Sequence, residues 1–157
     1  MNNILKNSEA SVIKLVTELQ DQMLEEGICR ELTYVEIDAR VELKDGDLPN
    51  TDIIGVTQFS ISEEEEKIWS IHFILAVSTV SDDNLFRLRD MVNWVFNRFH
   101  SGAQMIYYDA DSADEKSWIQ VIPGTVMLPT HRVETRPFRF VQVHALLDPQ
   151  QGSQTAY

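Results

Sequence analysis

The sequence predicts an α+β fold: a mainly antiparallel sheet with two helices packed on one face and long hairpins. Three observations point to it. Two stretches, residues 8–26 and 81–101, carry apolar groups at helical spacing. The remaining apolar runs alternate like strands, and the order is helix, three strands, helix, then three or four strands. The turns between consecutive strands are short, which favours antiparallel pairs, because a parallel pair needs a crossover of about a dozen residues.

In residues 8–26, Val12, Leu15, Val16, Leu19 and Met23 form one apolar stripe, with Lys14, Glu18, Asp21, Gln22 and Glu25 around it. Asn7 or Ser8 can cap the start, and Gly27 suits the left-handed position beyond the end. Residues 34–43 alternate with period two: Val35, Ile37, Ala39, Val41 and Leu43 on one face, Tyr34, Glu36, Asp38, Arg40 and Glu42 on the other. The turn formers of 44–50 close that run. A second strand covers 53–61, where Gly55 marks a bulge or a close backbone approach. Glu63, Glu64, Glu65 and Glu66 then form an acidic turn. The strand over 67–78 has apolar groups on both faces, the mark of an internal strand.

The helix over 81–101 is capped by Ser81, with Asp82 and Asp83 in the first turn where the helix dipole favours negative charge. Its stripe is Leu85, Leu88, Val92, Val95, Phe96 and Phe99, and His100 and Gly102 close it. Strands follow at 104–108, 117–122, 125–128 and 138–147. Pro137 cannot donate to a ladder and belongs at a strand start or an edge. Residues 1–147 read as a single domain and the polar residues 148–157 as a flexible tail.

A chain of 157 residues with a 43% apolar share can bury an ordinary core. The longest apolar run, residues 73–77, is far too short for a membrane span, and the start has no sustained apolar segment of a secretory signal. The single cysteine, Cys29, excludes an intrachain disulfide and fits a reducing cytosol. The net charge of −12 is the wrong sign for a protein that draws affinity from phosphates. Arg132, Arg136 and Arg139 make the most basic stretch, and are read as charges flanking a strand.

No motif carries chemistry. The four histidines, His72, His100, His131 and His144, are far apart, with neither HExxH nor CxxC, so zinc has no spacing to support it. His72 is read as a packed or hydrogen-bonded strand residue, and Cys29 as a small buried hydrophobe. There is no GxSxG, no GxGxxG and no GxxxxGK[ST]. The run from Asp109 through Asp111 and Asp114 to Glu115 has the density of a calcium loop. An EF-hand loop wants Gly at its sixth position and Glu at its twelfth. Counted from Asp109, those positions hold Asp114 and Gln120, so the run is read as a hairpin loop of solvated acids. No cofactor and no metal are expected.

The order of elements resembles that of the tail-terminator proteins of long-tailed bacteriophages, over about residues 8–147. The likeness rests on the amphipathic opening helix leading into a long alternating strand, on the apolar strand Trp69-Ser-Ile-His-Phe-Ile-Leu-Ala-Val running to the helix start Ser81-Asp-Asp-Asn-Leu, and on the closing stretch Val133-Glu-Thr-Arg-Pro-Phe-Arg-Phe-Val-Gln-Val. The resemblance implies a small α+β structural virion protein without catalysis, in the tail or neck and in the host cytoplasm during assembly. Such proteins close the tail tube as a homo-oligomeric ring, usually a hexamer. Its partners would be tail tube and sheath proteins and the head-side connector or neck proteins, with DNA passing through unbound and no membrane involved. An acidic lumen wall suits that role because it repels phosphate. Glu63, Glu64, Glu65, Glu66, Asp109, Asp111, Asp114 and Glu115 are the residues expected at the assembly or lumen surface. The competing readings are a small cytosolic enzyme or ligand-binding domain with a site built from scattered residues, and an acidic DNA mimic using the same two clusters as surrogate phosphates.

Overall fold

The structure, a computed structural model, describes residues 3–36, 47–65, 67–80 and 85–149. The order is α1 (Ile4–Glu25), β1 (Leu32–Tyr34), β2 (Asp52–Glu65), β3 (Ile68–Ser78), α2 (Leu85–Arg98), β4 (Gln104–Tyr108), β5 (Glu115–Val121), β6 (Val126–Val133) and β7 (Arg136–Leu147). The strands form one seven-stranded sheet of order β1-β2-β3-β7-β5-β4, with β6 pairing β7 off that path. Every pair is antiparallel except β1–β2. That parallel pair departs from the short-turn expectation: residues 35–51 connect the two strands, which is length enough for a crossover. The rest of the strand expected over 34–43 lies largely outside the described residues.

Both helices pack on the same face. Val12, Val16, Leu19 and Met23 of α1, Leu88, Val92 and Val95 of α2, and Phe99 just after α2 are buried with Ile71, Phe73, Leu75 and Val77 of β3 and Val141 and Val143 of β7. The Phe73 and Phe99 rings meet edge-to-face, with centroids 5.7 Å apart. β3 lies between β2 and β7 from Trp69 to Ser78, as its two-sided apolar pattern predicts. Met91 and Trp94 join the stripe of α2, whereas Leu85 is exposed. The cap at Ser81, Asp82 and Asp83 lies outside the described residues.

Three local predictions change. α1 begins at Ile4, not at residue 8, because Asn7 and Ser8 are not caps. They face the sheet and are buried, and the Asn7 amide is spent on tertiary bonds described below. The acids Glu63 to Glu65 are the last rungs of β2 rather than a separate turn, and Glu66 lies outside the described residues. Arg136 is buried at 4% exposure instead of solvated. It donates through Nε to Ser78 Oγ at 2.9 Å and through its terminal nitrogens to the carbonyls of Pro49 and Thr51.

Gly55 is a close approach. A Cβ there would fall 1.8 Å from the Val35 carbonyl oxygen. The bulge lies just beyond, between Val56 and Gln58. β6 runs on to Val133, past Pro129, with a register shift between Leu128 and His131. β5 and β6 share one edge of β7, at opposite halves. Pro137 sits where β7 has extended past β3, whose last rung is Ser78 opposite Phe138.

The sheet curls round α1. Gln20 Nε2 donates to the carbonyl of Leu32 on β1 at 2.7 Å. On the other edge the Tyr108 amide of β4 donates to Ser11 Oγ at 2.8 Å. One helix therefore satisfies groups on both edge strands, where open backbone would invite pairing with another chain.

Candidate functional site

The two acidic runs are far apart in sequence, and the sheet brings them to one end. The β2–β3 hairpin turns beyond Glu65, and the β4–β5 hairpin turns between Tyr108 and Glu115. Both turns lie beyond the end of β7 at Leu147, which pairs with Trp69 and with Ile119. Between them is an open cleft of about 340 Å³ whose lining includes Asn7, Glu63, Lys67, Trp69, Asp109 and Lys116.

Asn7 organises this end. Its Oδ1 accepts from the Ala110 amide at 2.9 Å, and its Nδ2 donates to Tyr107 Oη at 3.3 Å. Ser11, one helical turn on, donates to the Asn7 carbonyl at 2.7 Å while holding the Tyr108 amide. Lys14 Nζ lies 3.8 Å from the centre of the Tyr108 ring, a cation–π contact. The N-terminal half of α1 is thus strapped to the β4–β5 hairpin.

The acids differ in what they do. Asp109 Oδ1 accepts from the amides of Asp111 and Ser112 at 2.9 and 3.1 Å, an Asx turn. The Ser112 amide, then that of Asp111, holds the Asp109 carboxyl below the ordinary carboxylate range. Asp109 therefore shapes its loop. Asp111 pairs with Lys6 at 2.7 Å, on the surface. Asp114 and Glu115 are exposed beside the turn, as are Glu63, Glu64 and Glu65 on β2. Lys67 follows the β2–β3 turn with φ of 70°, a left-handed conformation that an L residue adopts at a cost.

Sequence reasoning found the acids and missed Asn7, Lys67, Trp69 and Lys116. No spacing links these four; only the pairing of hairpin ends does. Composition hid the lysines, because a −12 average conceals cations placed among acids.

A second cleft, of about 400 Å³, lies at the opposite end of β2 and β3 and includes Cys29, Thr51, Asp52, Val80 and Arg87. Asp52 is buried and forks to Arg87, Oδ2 to Nε at 2.8 Å and Oδ1 to Nη2 at 3.0 Å. Cys29 is buried, and burial, then the Asp52 charge, pushes its thiol up to about 11. A thiol so protonated is a poor nucleophile. Among the described residues no group of three or more His, Cys, Asp or Glu side chains could hold a metal ion, and no helix is long and apolar enough to cross a membrane.

No family model matches the chain, and no curated protein matches it. A solved structure whose name carries no functional description is similar in fold, with a TM-score of 0.55 and 8% identity over 85% of this chain and 91% of that one. At that identity the likeness concerns the fold alone.

Proposed function

We propose that this protein is a structural virion protein without catalysis, a tail-terminator-like subunit that closes the tail tube of a long-tailed phage as a homo-oligomeric ring, a hexamer. It would join the ring to the head-side connector while DNA passes through without specific binding. Head-to-tail rings need two unlike surfaces on every copy. The observation that carries this reading is that β7 separates two such surfaces. At one end stand the acidic hairpin tips around Glu63 and Asp109. At the other, the β6–β7 hairpin runs past the last rung of β3, carrying His131 and Arg132 on a strand whose residues are mostly exposed. The two outer strands, β1 and β4, are bonded to α1, whereas β6 pairs in the sheet with β7 alone among the described strands.

The test is made on particles. Imaging should find every copy in one ring between tail tube and connector, and particles assembled without the protein should carry tails of abnormal length or lack joined heads. Normal, joined tails in its absence would overturn the reading. So would a turnover activity that depends on Cys29 or any of the four histidines.

A further inference from the structure

The face of the sheet away from the helices brings two imidazoles together. His72 on β3 and His144 on β7 are direct partners in the antiparallel register. Their rings touch, with centroids 4.0 Å apart and planes at 67°. Both are half-buried, so the pair is held by the sheet yet reachable from solvent. His72 Nε2 lies 3.1 Å from Ser70 Oγ, and His144 Nε2 lies 3.1 Å from Gln142 Nε2. With the amide nitrogen of Gln142 donating, His144 Nε2 is the acceptor, so its lone pair is held by that bond and an ion binds there by displacing the amide. Gly124 runs beside the pair: a Cβ on it would sit 4.0 Å from His144 Cδ2.

We propose that His72 and His144 form a two-imidazole clamp for a divalent first-row transition ion. Imidazole suits copper, nickel and zinc, and copper(II) binds tightest by the general order of affinities. Bonds of about 2.0 Å from each ring nitrogen place the two donors roughly 3 Å apart. Each Nε2 is held by a different neighbour, Ser70 or Gln142, so gripping one ion requires the rings to leave these bonds by turning about their side-chain torsions, while their strands stay paired. The ligand form is the neutral ring. Burial, then the neighbouring His72, pushes His144 below the ordinary imidazole range. Ser70 and Gln142 flank the His72–His144 rung on opposite sides, so either one, not both, is placed to add an oxygen partner. Water fills the other positions. Two protein ligands give an exchangeable site, unlike the closed four-ligand site of structural zinc. The net charge of −12 draws cations toward the molecule, and imidazole selects among them.

Copper(II) is titrated calorimetrically into the untagged full chain at pH 7.5, with excess magnesium to occupy carboxylates. The expected result is one saturable site whose affinity falls at least tenfold in His72→Ala and in His144→Ala. It should be unchanged in a His100→Ala, His131→Ala double variant. Electron paramagnetic resonance of the copper complex should show two coupled nitrogens in the unmodified protein, a readout that survives if a variant folds poorly. A second, independent readout is zinc-dependent movement of the His72 and His144 ring resonances by NMR. Saturable binding that persists in the double variant lacking both His72 and His144, a spectrum with one nitrogen, or no saturable site at all overturns the proposal.

Discussion

Arg136 reaches Ser78 across 58 residues of sequence, Nε to Oγ at 2.9 Å, and Ser78 Oγ in turn donates to the carbonyl of Pro137 at 2.7 Å. The start of β7 is thereby fastened to the end of β3, and the same guanidinium takes up the carbonyls of Pro49 and Thr51 just before β2. Removing it strands several buried acceptors. Arg136→Ala should destabilise the fold by about 3 kcal/mol. Arg136→Lys should recover less than half of that, because an ammonium lacks the planar fork. Urea denaturation measures both, and an unchanged midpoint for the alanine variant would show that water replaces the guanidinium at no cost.

Gly55 should tolerate no side chain. Its backbone is crossed by the Val35 carbonyl, and Val35 is tied there by its amide to the Ile54 carbonyl at 3.0 Å. Gly55→Ala should cost about 3 kcal/mol through forced separation of the two backbones. Gly27 is the control, with φ of 74° but nothing within 4 Å of a Cβ. Gly27→Ala should cost only about 1 kcal/mol, the conformational term. Equal melting shifts in the two variants would contradict the close approach.

Alkaline pH should weaken the fold through Cys29 and Tyr34. Burial leads in raising both, the thiol from 9.0 to about 11 and the phenol from 10.0 to about 12. Both groups are neutral in either state below pH 9, so the stability they support is intact there. Between pH 9 and 12 the unfolded chain loses these protons first, and stability falls as pH rises. Cys29→Ala should flatten the early part of that slope, from pH 9 to 11. Denaturation midpoints across that range check it, and an identical slope in the variant would remove Cys29 from the account.

The acids of the β2–β3 tip are expected to matter for assembly rather than for folding. Changing Glu63, Glu64 and Glu65 together to Gln should leave monomer stability nearly unchanged, because these exposed carboxylates contribute little. It should alter oligomerisation or increase retention on DNA. A large loss of stability with neither change would make these acids structural.

How far the sequence reaches depends on the range of the interaction. The placement of β3 and α2 was readable because burial on both strand faces and a helical stripe are local periodicities, and Ile71, Phe73, Val92 and Phe99 fulfil them. The start of α1 was not, because Asn7 looks like a cap until Tyr107 and Ala110 arrive to take its amide. Arg136 looks solvated because a charge in a polar context usually is, and its partners lie 58 or more residues away. The acidic runs were visible as composition, but their meeting at one cleft depends on two hairpins ending at the same level. The pairing of His72 with His144 depends wholly on strand register, which no residue spacing within either strand encodes.

The bonds from α1 to both outer strands also constrain the birth of the molecule on the ribosome. α1 is made first, yet the acceptors and donors it serves include the amides of Tyr108 and Ala110. Its greasy stripe at Val12, Val16, Leu19 and Met23 is therefore covered only in part, by β1 to β3, until β4 has been translated. Contacts so distant in sequence form slowly, because the intervening loop must close first. A nascent chain stalled before β4 should accordingly be sticky, protease-sensitive and a client for holdase chaperones, and release should coincide with emergence of the β4–β5 hairpin from the exit tunnel.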